Sequence, residues 1–204
     1  MRKLSFLLAS LAAAAGTALG APPQRVAIDY ELRRNGSAVA DISERLEHDG
    51  RTYRLAQTWK GKGIYGLRGE ARRSSSGRVG QGGLQPEAFE DLRPGRDPRR
   101  ASPAAGVQDR LSVLWHFAFK PPAGRVTLQV ADGRGVATHA YSPAGRERIR
   151  TPAGEFHALK FERTDDDRRA LVWLAPEQGN VPVRVLVTEK DGTAVEVIAV
   201  RIAQ

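Results

Sequence analysis

The sequence contains no cysteine. This absence excludes disulfide bonds, thiolate metal sites, iron–sulfur clusters and cysteine nucleophiles. It also excludes the lipid-modified cysteine by which bacterial lipoproteins are anchored behind a signal segment. An exported form of this chain must therefore be stabilised by its hydrophobic core alone.

Long apolar runs are also scarce. The longest, residues 4–15, is interrupted only by two serines and is shorter than the roughly 20 residues of a membrane-spanning helix. It follows a basic pair at residues 2–3 and precedes Ala18-Leu19-Gly20, a small-x-small cleavage pattern. These features predict a signal peptide over residues 1–20 and no transmembrane segment. We expect the mature chain, residues 21–204, to be exported to the periplasm or secreted.

Acidic residues are outnumbered, with 23 Asp and Glu against 32 Lys and Arg and a formal net charge of +9. In a cytoplasmic protein this excess would favour nucleic acid. Export and the scattered positions of the arginines argue against a nucleic-acid partner. They favour anionic envelope components, such as phosphate-bearing lipid headgroups or polysaccharide, although a coding bias toward arginine is an alternative explanation.

Motifs that specify a reaction are missing. The glycines of residues 61–66 fit G-x-G-x-x-G, but a strand rather than a helix is predicted after them, unlike a dinucleotide site. Asp165-Asp166-Asp167 lacks the alternating oxygen spacing of a calcium loop. The histidines lack the short local spacings of a zinc site: His48, His116, His139 and His157. The sequence therefore predicts no catalytic residue, no metal and no cofactor, and hence a protein that is not an enzyme.

Alternating apolar and polar residues run through most of the mature chain. Val26, Ile28, Tyr30 and Leu32 show the pattern at its clearest, and period-two alternation is typical of half-buried strands. Asn35-Gly36 is a turn signal between two such runs. About ten strands of this kind predict a mainly β fold, either an antiparallel half-barrel or a curved sheet, in a single domain over residues 21–204.

One helix is predicted, over Val107–Phe119, and Pro121-Pro122 end it. Its apolar residues occupy two flanks, which indicates burial on both sides, as if the helix packs inside the curve of the sheet. The charged, Pro- and Gly-rich segment before it, residues 93–106, is predicted to be a flexible loop.

Candidate site residues follow from this architecture. A curved sheet with a buried helix can enclose an apolar pocket, and four apolar side chains are candidates for its lining: Leu111, Trp115, Tyr53 and Trp59. Arg99 and Arg100 are candidates for a basic rim that attracts an anionic headgroup. The alternative is that the aromatic residues simply fill the core.

Two functions remain open at this point. The first is a binding or carrier module for a hydrophobic or lipid-like envelope component. The second is a structural or interaction protein that assists envelope assembly with a protein partner, through a sheet edge and the basic loop. An apolar cavity of about 300 Å³ or more would favour the first, and a filled core with an exposed edge strand would favour the second.

A family resemblance is carried by several short motifs in order along the chain: Gly82-Gly83-Leu84-x-Pro86-x-x-Phe89, Thr151-Pro152-Ala153-Gly154-Glu155-Phe156 with Lys160, Trp173-Leu174-Ala175-Pro176, Val181-Pro182-Val183-Arg184, and Asp191-Gly192. The chain resembles the bacterial family of unknown function DUF3108, which implies an exported β-rich domain without an assigned activity. Its C-terminal motifs are also similar, more weakly, to periplasmic lipoprotein carriers, whose half-barrel with an inner helix shelters acyl chains. The detailed motifs of those carriers are absent here.

Overall fold

The computed structural model describes residues 22–163 and 169–204. The predicted signal peptide and the acidic turn at residues 165–167 lie outside these ranges.

The described chain forms one 13-stranded sheet that curls into a nearly closed barrel. Its strands are β1 Arg25–Arg34, β2 Ser37–His48, β3 Thr52–Gly61, β4 Glu70–Gly80, β5 Gly83–Leu92, β6 Arg99–Ala101, β7 Val107–Asp109, β8 Val126–Ala131, β9 Val136–Thr151, β10 Gly154–Arg163, β11 Arg169–Ala175, β12 Val181–Thr188 and β13 Ala194–Ala203. Within the described residues the one α-helix is α1, Ser112–Phe119, and short 3-10 turns occupy Gly63–Arg68 and Pro176–Gln178.

The sheet begins and ends with its shortest strands. Its order is β6-β5-β4-β3-β2-β1-β13-β12-β11-β10-β9-β8-β7, and every pairing is antiparallel except β7 with β8. Strands β5 and β7 lie close together across the seam, where the Gln108 side-chain amide donates to the Leu84 carbonyl over 2.8 Å and Ser75 donates to Asp109 over 2.6 Å. Side-chain hydrogen bonds therefore bring the two edges of the sheet together.

The mainly β class with one helix is confirmed, but the strand number of about ten is wrong. The three strands that the sequence did not predict are β5, β6 and β7. In β5 the alternation is broken by a bulge where Pro86 faces Gly77, and a proline in a strand is usually placed at such an irregularity. Strands β6 and β7 have three residues each, too few to show a period.

The helix is shorter than predicted and begins at Ser112 rather than Val107, because Val107–Asp109 pairs with β8 as a strand. Asp109 ends that strand, and its carboxylate accepts the backbone N–H groups of Leu111 and Ser112 over 2.8 Å each. These bonds satisfy amide donors at the start of the helix. The segment of residues 93–106, predicted to be a flexible loop, contains the short strand β6. Its flexibility stays a prediction.

The prediction that the helix is buried on both sides is confirmed. Leu111, Trp115 and Ala118 belong to one hydrophobic cluster, and Val113 and Phe117 belong to a second. The helix lies toward one end of the barrel, where Phe119 contacts His48 and the Asn180 side chain donates to the Ala118 carbonyl. We call this the closed end, and the opposite end, near the Asn35-Gly36 turn, the open end.

The bulge between β4 and β5 depends on glycine. A Cβ atom on Gly77 would lie 2.1 Å from the Gln85 carbonyl oxygen, so Gly77→Ala should lower the free energy of unfolding by about 2 kcal/mol through overpacking. Gly82→Ala is the matched control, because a Cβ there meets no atom within 4 Å, and its effect should stay below about 0.5 kcal/mol. Urea denaturation measures both, and equal effects of the two substitutions would contradict the prediction.

Candidate ligand-binding cavity

A cavity of about 700 Å³ occupies the open end of the barrel. The strands that reach this end contribute small and apolar side chains to its wall: Leu32, Val39, Ala40, Trp59, Ala71 and Val195. The helix fills only the closed end, so the barrel interior at the open end is left without side chains to occupy it. The result is a concave apolar site of the size that small-molecule ligands use.

The rim of the cavity is polar on one side and apolar on the other. The β12–β13 turn supplies Glu189, Lys190, Asp191 and Thr193, and β1 supplies Arg34. The opposite side is the 3-10 turn after β3, whose Tyr65 lines the cavity. In the same turn Ile64 and Leu67 are 76% and 87% exposed, which places two large aliphatic side chains in solvent at the rim.

A chain of polar contacts begins at Trp59 in the cavity wall. The Trp59 indole donates to the Gln57 side-chain oxygen over 2.5 Å, and the Gln57 amide donates to Glu44. The Arg73 guanidinium lies 4.7 Å from the centre of the Trp59 ring and also donates to Gln57. From below, the Trp115 indole donates to Glu44 over 2.6 Å. This chain connects Trp59 in the cavity wall to the buried helix.

Glu44 is a buried carboxyl group at the centre of these contacts. Burial raises its pKa to about 7, although the hydrogen bonds from Trp115 and Gln57 and the charge of Arg73 act to lower it. A desolvated carboxylate is unfavourable unless it is well paired, so Glu44 holds a proton at pH values where an exposed glutamate is ionised.

A second buried carboxyl group, Asp91, is linked to this chain of contacts through Arg73. Burial acts to raise its pKa, but the hydrogen bonds and charges of Arg93 and Arg73 outweigh burial and lower the pKa below its ordinary value. Arg93 contacts one carboxylate oxygen at 2.6 Å and Arg73 contacts the other at 3.4 Å. Asp91 is therefore an ionised partner for the two arginines.

The predicted site residues lie in three places: the packed core, the cavity wall and the seam of the barrel. Leu111, Trp115 and Tyr53 lie in the packed core, where their exposed fractions are 5%, 1% and 2%, and the Tyr53 hydroxyl bonds to Ser75. Trp59 lines the cavity. The structure thus brings Trp59 together with residues that the sequence did not single out, Leu32, Ala40, Ala71 and Val195.

Arg99 and Arg100 lie at the seam of the barrel rather than in the cavity wall. Adjacent strand residues point to opposite faces, and accordingly Arg100 pairs with Glu90 over 2.7 Å whereas Arg99 lines a separate groove with Arg96 and Arg134.

Within the described ranges, 22–163 and 169–204, no group of three or more His, Asp or Glu side chains is placed to hold a metal ion. Two histidines have backbone partners instead, since His48 bonds to the Pro22 carbonyl and His116 to the Leu84 carbonyl. In the same ranges no helix has the length and hydropathy to span a membrane.

Three solved structures of bacterial proteins are similar to the chain to different degrees. A β-barrel-like DUF1849 protein from Brucella abortus matches with a TM-score of 0.54 at 8% identity, over 87% of this chain and 96% of that one. A candidate lipoprotein from Parabacteroides distasonis and a candidate exported protein with a YmcC-like fold from Bacteroides fragilis match with TM-scores of 0.43 and 0.40, each at 10% identity, over 91% of this chain and 98% of theirs. At these identities the first likeness shows a shared fold alone.

No curated protein sequence matches the chain. A family does: residues 90–199 match the family described as protein of unknown function (DUF3108). The matched range contains the motifs from Thr151 onward, while the Gly82-Gly83-Leu84 motif lies before it. Since the match covers more than half of the 204 residues, the chain belongs to the DUF3108 family.

Proposed function

We propose that this protein is a non-enzymatic binding or carrier module of the cell envelope, and that it holds the apolar part of a hydrophobic or lipid-like molecule in the open end of the barrel. The observation that carries the proposal is the apolar cavity of about 700 Å³. This volume is more than twice the volume of about 300 Å³ that would favour a carrier over an interaction protein. The predicted signal peptide supports export, and the periplasm is the proposed location.

The energetics suit reversible binding. A ligand that hides about 300 Å² of apolar surface gains about 7 kcal/mol at ~25 cal/mol per Å². Loss of translational and rotational freedom offsets much of that gain. Trp59 supplies a broad apolar face whose indole N–H is held by Gln57, so its ring is oriented before a ligand arrives.

Titration with a fluorescent fatty acid tests the proposal. Wild type should show saturable binding. Ala71→Trp should weaken it at least tenfold, because Ala71 lines the cavity and a larger side chain there takes the space of the ligand. Ala56→Trp is the matched control: Ala56 is exposed on β3 and outside the cavity lining, so its affinity should stay within about twofold of wild type. Absence of saturable binding to the wild type would overturn the proposal.

A second candidate function is an interaction module without a small-molecule ligand. Ile64 and Leu67, exposed together at the rim, favour it, since exposed aliphatic pairs are frequent at protein interfaces. Under this alternative, Ile64→Ser with Leu67→Ser should abolish co-purification of an envelope protein partner, and the wild type should not bind the fatty acid.

A further inference from the structure

The seam of the barrel holds a tight contact between the β8–β9 turn and strand β6. Gly133 in that turn has a φ of +78°, a left-handed conformation that favours glycine. A Cβ atom on Gly133 would lie 2.7 Å from the Cβ of Arg99 and 3.1 Å from the backbone nitrogen of Arg100. The turn can approach β6 this closely only because residue 133 has no side chain.

This contact places arginines from two distant segments in one groove. Arg96 and Arg99 come from the segment around β6 and Arg134 from the β8–β9 turn, and they line a groove of about 660 Å³ together with Asp97. We call it the seam groove. An adjoining hollow of about 470 Å³ shares Arg134 and is lined also by Arg110, Arg163, His139 and Asp132. Five arginines thus face two aspartates across the two depressions.

Two of the nearby acidic groups, Asp132 and Asp91, are already engaged with other partners. The Asp132 carboxylate accepts the backbone N–H groups of Arg134 and Gly135, over 2.8 and 3.1 Å, and Asp91 pairs with Arg73 and Arg93.

The three groove arginines, in contrast, are not neutralised. Across the part of the chain that the structure describes, no carboxylate lies within salt-bridge distance of the guanidinium groups of Arg96, Arg99 and Arg134. Desolvation and the charges of Arg134 and Arg93 also lower the pKa of Arg99, as expected where like charges are held close together. The fold therefore concentrates positive charge here, and the nearby carboxylates of Asp91, Asp97 and Asp132 offset it from a distance without forming an ion pair with these three arginines.

We propose that the seam groove is a binding site for a phosphate group. Planar guanidinium groups donate pairs of parallel hydrogen bonds to phosphate oxygens, and a phosphate offers enough oxygens for more than one arginine. Arg99 and Arg134 are the principal ligands, because the Gly133 contact fixes their segments relative to each other. Arg96, which is more exposed than Arg99, closes the groove from the loop side.

The seam groove lies close to the apolar cavity. A Cβ atom on Gly69, which lines the cavity, would lie 3.0 Å from the Pro94 side chain, and the next residue, Gly95, lines the groove. A phosphate in the groove therefore has two sources that the geometry allows. It is either the headgroup of a phospholipid whose acyl part enters the cavity, or a soluble phosphate compound that binds independently.

NMR of the arginine side-chain N–H signals tests the site, with inorganic phosphate as the probe and sodium chloride at equal ionic strength as the reference. Phosphate should shift the Arg99 and Arg134 signals with saturation. Arg99→Gln with Arg134→Gln should weaken binding at least tenfold. Arg100→Gln, on the same strand but paired with Glu90, should stay within twofold of wild type. Shifts that do not saturate, or that are equal for chloride, would overturn the proposal, as would unchanged affinity in the folded double variant.

Lysophosphatidic acid below its micelle concentration distinguishes the two sources. If it binds at least tenfold more tightly than inorganic phosphate, and Ala71→Trp removes that advantage, the phosphate belongs to a lipid headgroup. If the two probes bind alike and Ala71→Trp has no effect, the site takes soluble phosphate; both results support the site. The inorganic phosphate measurement does not depend on the cavity, so a failure of lipid carriage would leave this proposal standing.

Discussion

Replacing Trp115 with alanine should lower the free energy of unfolding by about 4–5 kcal/mol, the largest effect that we expect from a single substitution in this protein. Its side chain is 1% exposed between the helix and the barrel wall, and large-to-small changes at such sites cost about 3–5 kcal/mol. The substitution also deprives the buried Glu44 of its indole donor, and an unsatisfied buried polar group adds to the loss. Total stabilities of about 5–15 kcal/mol are usual, so the variant should be close to unfolding.

Urea denaturation followed by far-ultraviolet circular dichroism measures the effect. Trp59→Ala is the matched control, because Trp59 is only partly buried in the cavity wall, and it should cost about 1–2 kcal/mol. Trp115→Phe keeps most of the ring but removes the N–H, so it isolates the contribution of the hydrogen bond to Glu44. A loss for Trp115→Ala no greater than that for Trp59→Ala would mean that the helix does not pack inside the barrel.

Glu44 should make the stability of the protein depend on pH between about pH 4.5 and pH 8. Its pKa is raised to about 7 in the folded state, so the folded protein keeps a proton that the unfolded chain has released. The stabilisation from this proton is complete below the unfolded pKa and is lost as the pH rises through the folded value. A difference of about 2.5 pKa units corresponds to about 3 kcal/mol.

Glu44→Gln removes this titration while it keeps the shape of the side chain. The free energy of unfolding of the variant, relative to wild type, should therefore rise by about 3 kcal/mol between pH 4.5 and pH 8. Burial lowers the pKa of His116, so His116 titrates in the opposite sense, but it does so in both proteins and cancels from the comparison. Glu47→Gln, on the exposed side of the same strand, should leave the wild-type profile unchanged. A constant difference between Glu44→Gln and wild type across this range would contradict the assignment.

The alternation of the sequence was sufficient to predict the main strands and the side of each strand that is buried, because each side chain's face follows from the period of two. It also favoured a bulge near Asn35-Gly36 that places apolar residues opposite each other, and Leu32 is aligned with Ala40. The place of the extra residue was wrong: Asn35-Gly36 forms a two-residue turn, and the bulge is at Val39, seen as a shift between Leu32 and Arg33 in the pairing. The core selects that alignment because it places both side chains on the inner face.

The helix was likewise predicted only in part. Its 3.6-residue period predicted burial on two flanks, but the first predicted turn, Val107–Asp109, is strand β7, which pairs with β8. The whole helix separates these two strands along the chain, and a local sequence pattern does not contain information about a pairing partner that far away.

The sequence by itself determined the β class, the family and the apolar character of the interior; the tertiary structure alone decided where that interior is left open. Tyr53 and Trp59 lie on the same face of the same strand, yet Tyr53 is buried in the core and Trp59 lines the cavity. The difference is depth along the barrel, which depends on where the helix stops. Likewise Arg99 and Arg100 are neighbours of equal chemistry that point to opposite faces of β6. Only the pairing of β6 with β5 places Arg100 opposite Glu90, and only the approach of Gly133 across the seam brings Arg134 toward Arg99. A local pattern specifies the face of a residue, and contacts between distant segments specify what that face meets.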